Sequence, residues 1–180
     1  SAASDVYKRQ SMVPTKIAGS HAKKLAEILF ARRHRLVLAE SCTCGAVAAT
    51  LGEIPGISSV FCGSAVTYQE ETKSCWLEIE PQVFYEDTAV SPRVAEQMVS
   101  GVLSQTSHAT VAASVTGHLG PHAPADQDGL IYVGTGLKEG DGQMSVDSHP
   151  YWLKSSERGP RRDEAVERVL DALIRAILSK

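Results

Sequence analysis

The sequence lacks a long run of Lys and Arg, and only 6% of its residues are aromatic. With a net charge of −3 and a pI near 6.1, it has no electropositive, aromatic face of the kind that holds nucleic acid. It also lacks any apolar stretch near the roughly 20 residues that cross a bilayer. Its first residues, SAASDVYKRQSMVPTK, contain no apolar signal core. Neither a nucleic-acid partner nor a membrane is expected, and the chain reads as cytoplasmic. The four cysteines, Cys42, Cys44, Cys62 and Cys75, form no CxxC pair. Cys42 and Cys44 stand too close for an easy mutual disulfide, so reduced thiols are expected. Met12 reads as the natural start, residues 1–13 as a disordered extension that adds nothing to the fold, and residues 14–180 as one domain.

What the sequence has is an ordinary globular balance, 43% hydrophobic and 22% charged over 180 residues. Apolar residues at helical spacing predict an amphipathic helix over Ile17 to Ala31. Short apolar runs predict buried strands at Leu36 to Ala39, Gly63 to Tyr68 and Ala109 to Val115. Helices are expected at Gly45 to Leu51 and Glu70 to Leu77. A longer one follows Ser91, with Ser91 as N-cap and Pro92 in the first turn. LIYVGTGL and QMSVDSHPYWL read as a hairpin around the turn KEGDG, and Arg161 to Leu178 as a closing amphipathic helix. The alternation predicts a single three-layer α/β/α domain with a mixed sheet.

In such a sheet, ligands sit beyond the carboxyl ends of the strands. Two loops fall there: ESCTCG, at residues 40–45, and TGHLGPHAPADQDG, at residues 116–129. The first leaves backbone N–H groups free at a helix start, where they attract an anion or a developing oxyanion. Ser41 there is either a nucleophile or, with Thr43, a plain helix cap. Glu40 is either a partner for the loop amides or a solvated strand end. A base for Ser41 has two candidates, His118 and Lys73. The lysine has to lose about 3 pKa units to serve, which calls for burial and a cationic neighbour; otherwise it is a surface lysine. His118, His122, Asp126 and Asp128 are residue types that bind divalent metals, but an exposed polar loop explains them better, and no metal is expected. Cys62 and Cys75 read as small core hydrophobes, and Trp76 and Trp152 as core or interface anchors.

The stretch LAESCTCGAVAATLGEIPGISSVFCGSAVTYQEETKSCWL adds more. Together with Ala89-Val90-Ser91, Ala95, Met98, Gly101, Thr116-Gly117, Gly120-Pro121 and Gly129, it resembles the C-terminal domain of the competence/damage-inducible protein CinA. That family includes stand-alone nicotinamide-nucleotide amidases. The likeness runs from about residue 17 to the end of the chain and weakens after Gly136. It implies a cofactor-free, metal-free Ser/Lys amidohydrolase that converts nicotinamide mononucleotide to nicotinate mononucleotide and ammonia, in a homodimer or larger homo-oligomer. On this resemblance Ser41 is the nucleophile and Lys73 the base. Arg161 or Arg162 is the assisting arginine, with Arg161 set among the catalytic residues and Arg162 on the substrate. Amides around Cys42, Thr43 and Gly45 face the oxyanion, and Thr116, Gly117 and Gly120 the phosphate. Glu40 and Tyr68 complete the substrate-binding set.

The sequence departs from the family pattern in the turn, where CTGG is CTCG, and in the 116–129 loop, whose later glycines are replaced by His, Asp and Pro. Glu70 stands where the family often has Asn. If Cys44 holds a positive φ, its side chain costs about 1 kcal/mol and crowds the oxyanion donors. Two other functions stay open on these grounds: the same Ser/Lys pair acting on a different small amide, and a catalytically silent nucleotide-binding or regulatory module.

Overall fold

The computed structural model describes residues 16–140 and 142–180, so the expected N-terminal extension lies outside the described residues. In chain order the elements are α1 (Lys16–Arg32), β1 (Leu36–Glu40), α2 (Ala46–Gly52), a 3₁₀ turn (Ile57–Ser59), β2 (Phe61–Val66), α3 (Glu70–Leu77), α4 (Pro81–Asp87), α5 (Pro92–Gln105), β3 (Val111–Gly117), β4 (Leu130–Lys138), β5 (Met144–Trp152) and α6 (Arg158–Leu178). The five strands form one mixed sheet in the order β2-β1-β3-β4-β5. β1 runs parallel to both β2 and β3, while β4 and β5 are antiparallel additions.

β1 is apolar without alternation because both its faces are covered. Leu36 and Leu38 join the core beneath α1, α2 and α6, and Val37 and Ala39 the core beneath α5 and its neighbours α3 and α4. The helices bury single stripes: Ala18, Ala22, Leu25 and Leu29 of α1, and Ala165, Val169, Leu173 and Ile177 of α6. Ser91 caps α5 as its sequence predicts, its hydroxyl accepting from the Val94 N–H at 3.2 Å. The result is the expected three-layer α/β/α arrangement. No helix among the described residues is long and apolar enough to cross a membrane.

Several local expectations are corrected. α4 was not expected, although Pro81 in its first turn is a start signal. β2 begins at Phe61 and stops at Val66, so Tyr68 lies beyond the strand. β3 includes Thr116 and Gly117, and α6 starts at Arg158 rather than Arg161. Cys75 is exposed and Cys62 half-buried, so Cys75 is not a core residue. Trp76 and Trp152 are both more than half exposed. The helical period explains the first tryptophan. α3 turns Lys73 and Leu77 inward, and that swings Cys75 and Trp76 out. Trp152 ends the edge strand β5, which has a neighbour on one side only.

Candidate functional site: a buried serine–lysine pair at the strand ends

β1, β2 and β3 are parallel, so Glu40, Val66 and Gly117 end at one edge of the sheet. β4 starts there and β5 finishes there, delivering the 118–129 loop and the start of α6 to the same edge. Two ladder bonds run past the strand ends and hold the loops in register. Ser41 N–H donates to the Val115 carbonyl at 3.0 Å, and Thr67 N–H to the Glu40 carbonyl at 2.8 Å.

The chain then reverses tightly. Cys44 N–H donates to the Ser41 carbonyl at 3.0 Å, and two residues in succession hold positive φ, Cys44 at 52° and Gly45 at 88°. Cys44 therefore occupies a backbone state that disfavours an L side chain, but the side chain is exposed and points away from the packed turn. Neither Ser41 nor Thr43 caps α2; its N-cap is Gly45, with no side-chain bond. Glu40 does that work. Its carboxylate, buried at 1% exposure, accepts from the N–H groups of Val47 (3.1 Å) and Ala48 (3.0 Å) and from the hydroxyls of Thr43 (2.8 Å) and Ser64 (3.0 Å). A negative charge at a helix start, with its oxygens fully used, locks the turn that presents Ser41. Among the described hydrogen bonds to oxygen, the N–H groups of Cys42, Thr43 and Gly45 take no part. The Cys42 and Thr43 N–H groups face only the Cys42 sulfur, a weak acceptor, so the turn keeps donors that no oxygen occupies.

α3 brings the partner. Its start is tied down where Lys73 N–H donates to the Gln69 carbonyl at 3.0 Å. Its far end lies on α5 at Gly101, where any Cβ would collide with the Leu77 carbonyl. Lys73 is 1% exposed, the largest side chain buried so completely. Its Nζ donates to Ser41 Oγ at 2.9 Å, to the Thr67 carbonyl at 2.8 Å and to the Tyr68 carbonyl at 3.4 Å. Burial pushes the lysine down from its ordinary value to about 8; Cys42 and Glu70 oppose the change weakly. The cationic neighbour expected from the sequence is not needed, because loss of solvent lowers this amine by itself. Burial likewise pushes the Cys42 thiol up to about 12, so that sulfur stays protonated beside the pair. The pair thus combines a hydroxyl, an amine within reach of it whose neutral form is accessible near physiological pH, and backbone amides in the adjoining turn that no oxygen occupies.

The remaining expected residues divide. Tyr68 lies at the rim, half exposed. Thr116 turns its hydroxyl to the Ala89 carbonyl at 2.8 Å, toward the α4–α5 connection. Gly117 lies tight on β4, where a Cβ would meet Ile131 and the Leu130 carbonyl. Gly120 abuts Arg161 and has no room for a side chain. Arg161 is buried, and all three of its nitrogens are engaged: both terminal nitrogens donate to the Asp128 carboxylate at 2.7 Å, and Nε donates to the Ser155 carbonyl at 2.7 Å. In this geometry it braces the end of the 118–129 loop, and it holds the Asp128 carboxyl below its ordinary value. Arg162 reaches Asp163 at 3.3 Å and keeps a buried Nε with no partner. His118 pairs with Gln127 at 3.2 Å rather than with Ser41; of the two side chains the sequence offered, Lys73 is the one that reaches the serine hydroxyl. Among the described residues no group of three or more His, Cys, Asp or Glu is placed to hold a metal.

Sequence reasoning missed Arg158. Its terminal nitrogens donate to the Gly120 carbonyl at 2.6 Å and to the Tyr68 hydroxyl at 2.7 Å, joining two expected substrate-binding residues. Starting the last helix three residues too late hid it.

Fold and site together define an α/β domain with a serine–lysine pair at the carboxyl edge of its parallel strands. The chain belongs to the CinA C-terminal domain family, whose model matches residues 18–177. It is 40% identical over 137 residues to a CinA-like protein of Myxococcus xanthus, covering 73% of this chain and 32% of that one. It is 35% identical over 172 residues to a putative competence-damage inducible protein of Clostridium botulinum, covering 92% and 40%. The chain thus spans about a third of the length of the curated relatives it matches. The crystal structure of a competence/damage inducible protein from Agrobacterium tumefaciens superposes with a TM-score of 0.82 at 30% identity, over 91% of this chain and 96% of that one. A CinA-superfamily structure from Klebsiella pneumoniae gives 0.80 at 24% identity, a likeness of fold.

Proposed function

We propose that this domain is a nicotinamide-nucleotide amidase that hydrolyses the carboxamide of nicotinamide mononucleotide through Ser41 and Lys73, without metal or cofactor. The single observation carrying this reading is the 2.9 Å contact between a buried, pKa-lowered Lys73 and Ser41 Oγ. A lysine near 8 is partly neutral at physiological pH, so it takes the Ser41 proton as Oγ attacks the carboxamide carbon. The amides of the 42–45 turn stabilise the oxyanion. Lys73 then returns the proton to the departing nitrogen, ammonia leaves, and water activated by the same amine releases the acid from the acyl-serine.

A second reading, a different small amide cleaved by the same pair, is favoured by one observation: Asp128 occupies the guanidinium of Arg161, removing one cation from service to a phosphate.

Ammonia release by the purified protein with nicotinamide mononucleotide, measured beside Lys73→Ala and Ser41→Ala and with a chelator present, tests the proposal. Turnover that survives the chelator and is lost in both variants supports it. Turnover unaffected by Lys73→Ala overturns the mechanism. A wild-type protein that binds the nucleotide and releases no ammonia overturns the activity and leaves a silent binding module.

A further inference from the structure

We infer that Arg158 is a specificity-determining residue of this site, the cation that receives the phosphate of the nucleotide. The inference rests on the amidase reading above and assigns its specificity.

Three observations carry it. The first is position. Tyr68 links Arg158 to the reacting pair: its carbonyl lies 3.4 Å from Lys73 Nζ, and its hydroxyl accepts from Arg158 at 2.7 Å. One tyrosine residue therefore separates the guanidinium from the amine, with Gly120 of the opposite loop on the other side at 2.6 Å. The second is charge. Arg93, Arg161, Arg162, Arg168 and Arg175 each face a carboxylate within 3.5 Å. Among the described contacts Arg158 faces a phenol and a carbonyl, both neutral. Its charge is uncompensated in a chain of net charge −3. The third is exposure. Arg158 lies on the surface, so its unused donors reach an incoming group without breaking the two bonds that orient it. A planar guanidinium held in one orientation binds phosphate through paired N–H donors, which a mobile ammonium does not do. Arg161, by contrast, has its charge met by the Asp128 carboxylate on both terminal nitrogens.

The test compares binding and turnover. Calorimetry on the wild type, Arg158→Gln and Arg158→Lys, with ribose 5-phosphate as probe, reads the anion site whether or not the amidase reading holds. The expected result is binding by the wild type and at least tenfold weaker binding by Arg158→Gln, with Arg158→Lys recovering part of the loss. Ribose 5-phosphate bound equally by wild type and Arg158→Gln, or by neither, overturns the inference. Steady-state rates with nicotinamide mononucleotide and its dephosphorylated riboside then read selectivity. In Arg158→Gln the loss of kcat/KM on the nucleotide exceeds that on the riboside at least tenfold, and falls mainly on KM. Equal losses on both substrates reduce Arg158 to a structural strap and overturn the assignment. A wild type that binds ribose 5-phosphate yet hydrolyses neither amide fails the amidase reading alone.

Discussion

Lys73→Met makes the burial of the lysine measurable as stability. In the folded chain the amine titrates near 8, and in the unfolded chain near its ordinary 10.5. At about 1.4 kcal/mol per pH unit, the folded state carries a penalty of about 3 kcal/mol for this one charge. The sign follows from proton counting. Below pH 8 both states hold the proton, and the penalty is present in full. Between pH 8 and 10.5 the unfolded state binds more protons than the folded one, so the lysine's contribution to stability rises with pH until the penalty is gone. Methionine keeps most of the volume and removes the titration, at the cost of the contacts to Ser41 and the Thr67 carbonyl. Urea unfolding of both proteins at pH 7, 8, 9 and 10 isolates the effect, because titrating groups remote from Lys73 cancel in the difference. The wild type should gain about 2.5 kcal/mol on the variant from pH 7 to pH 10. Parallel stability curves would refute the lowered pKa, and with it the argument that Lys73 is available as a base. The same group should give kcat/KM a rising limb centred near pH 8.

Glu40→Ala strips two α2 amides and two hydroxyls of a buried acceptor; a loss of about 3 kcal/mol in urea unfolding is expected, and a loss under 1 kcal/mol would remove the carboxylate from the account of the turn. Cys44→Gly relieves the side chain at φ 52° and should raise stability by about 1 kcal/mol, with ammonia release unchanged or faster; destabilisation would mean that the cysteine makes a contact the positive φ exists to serve.

Part of this molecule was legible in its residues because the signals are local. Apolar spacing along α1, α5 and α6 reports which face is buried. The Ser91-Pro92 pair marks a helix start, and the double-sided apolar run at Leu36 to Ala39 identifies an inner parallel strand. The Ser41–Lys73 pairing seen in the structure was also expected from sequence, through an ordered set of family residues; spacing alone left Lys73 a surface lysine, with His118 as another candidate. Elements with weak local signals fared worse: α4 is short, and the first turn of α6 holds Gly159 and Pro160, which read as loop.

What tertiary structure alone decided was the chemistry of each polar group. In sequence Glu40 reads equally as a partner for the loop amides or a solvated strand end, and it became the cap of α2 because β1 ends directly against that helix. Arg161 and Arg158 are near neighbours in one helix, yet one is neutralised by Asp128 and the other faces neutral oxygens. Lys73 becomes a candidate base because α3 carries it into a solvent-free position beside Ser41. Helical and strand periods depend on residues a few positions apart, so the chain declares them in sequence. Desolvation and charge pairing depend on groups tens of residues apart, and their energies are set only once the layers have packed.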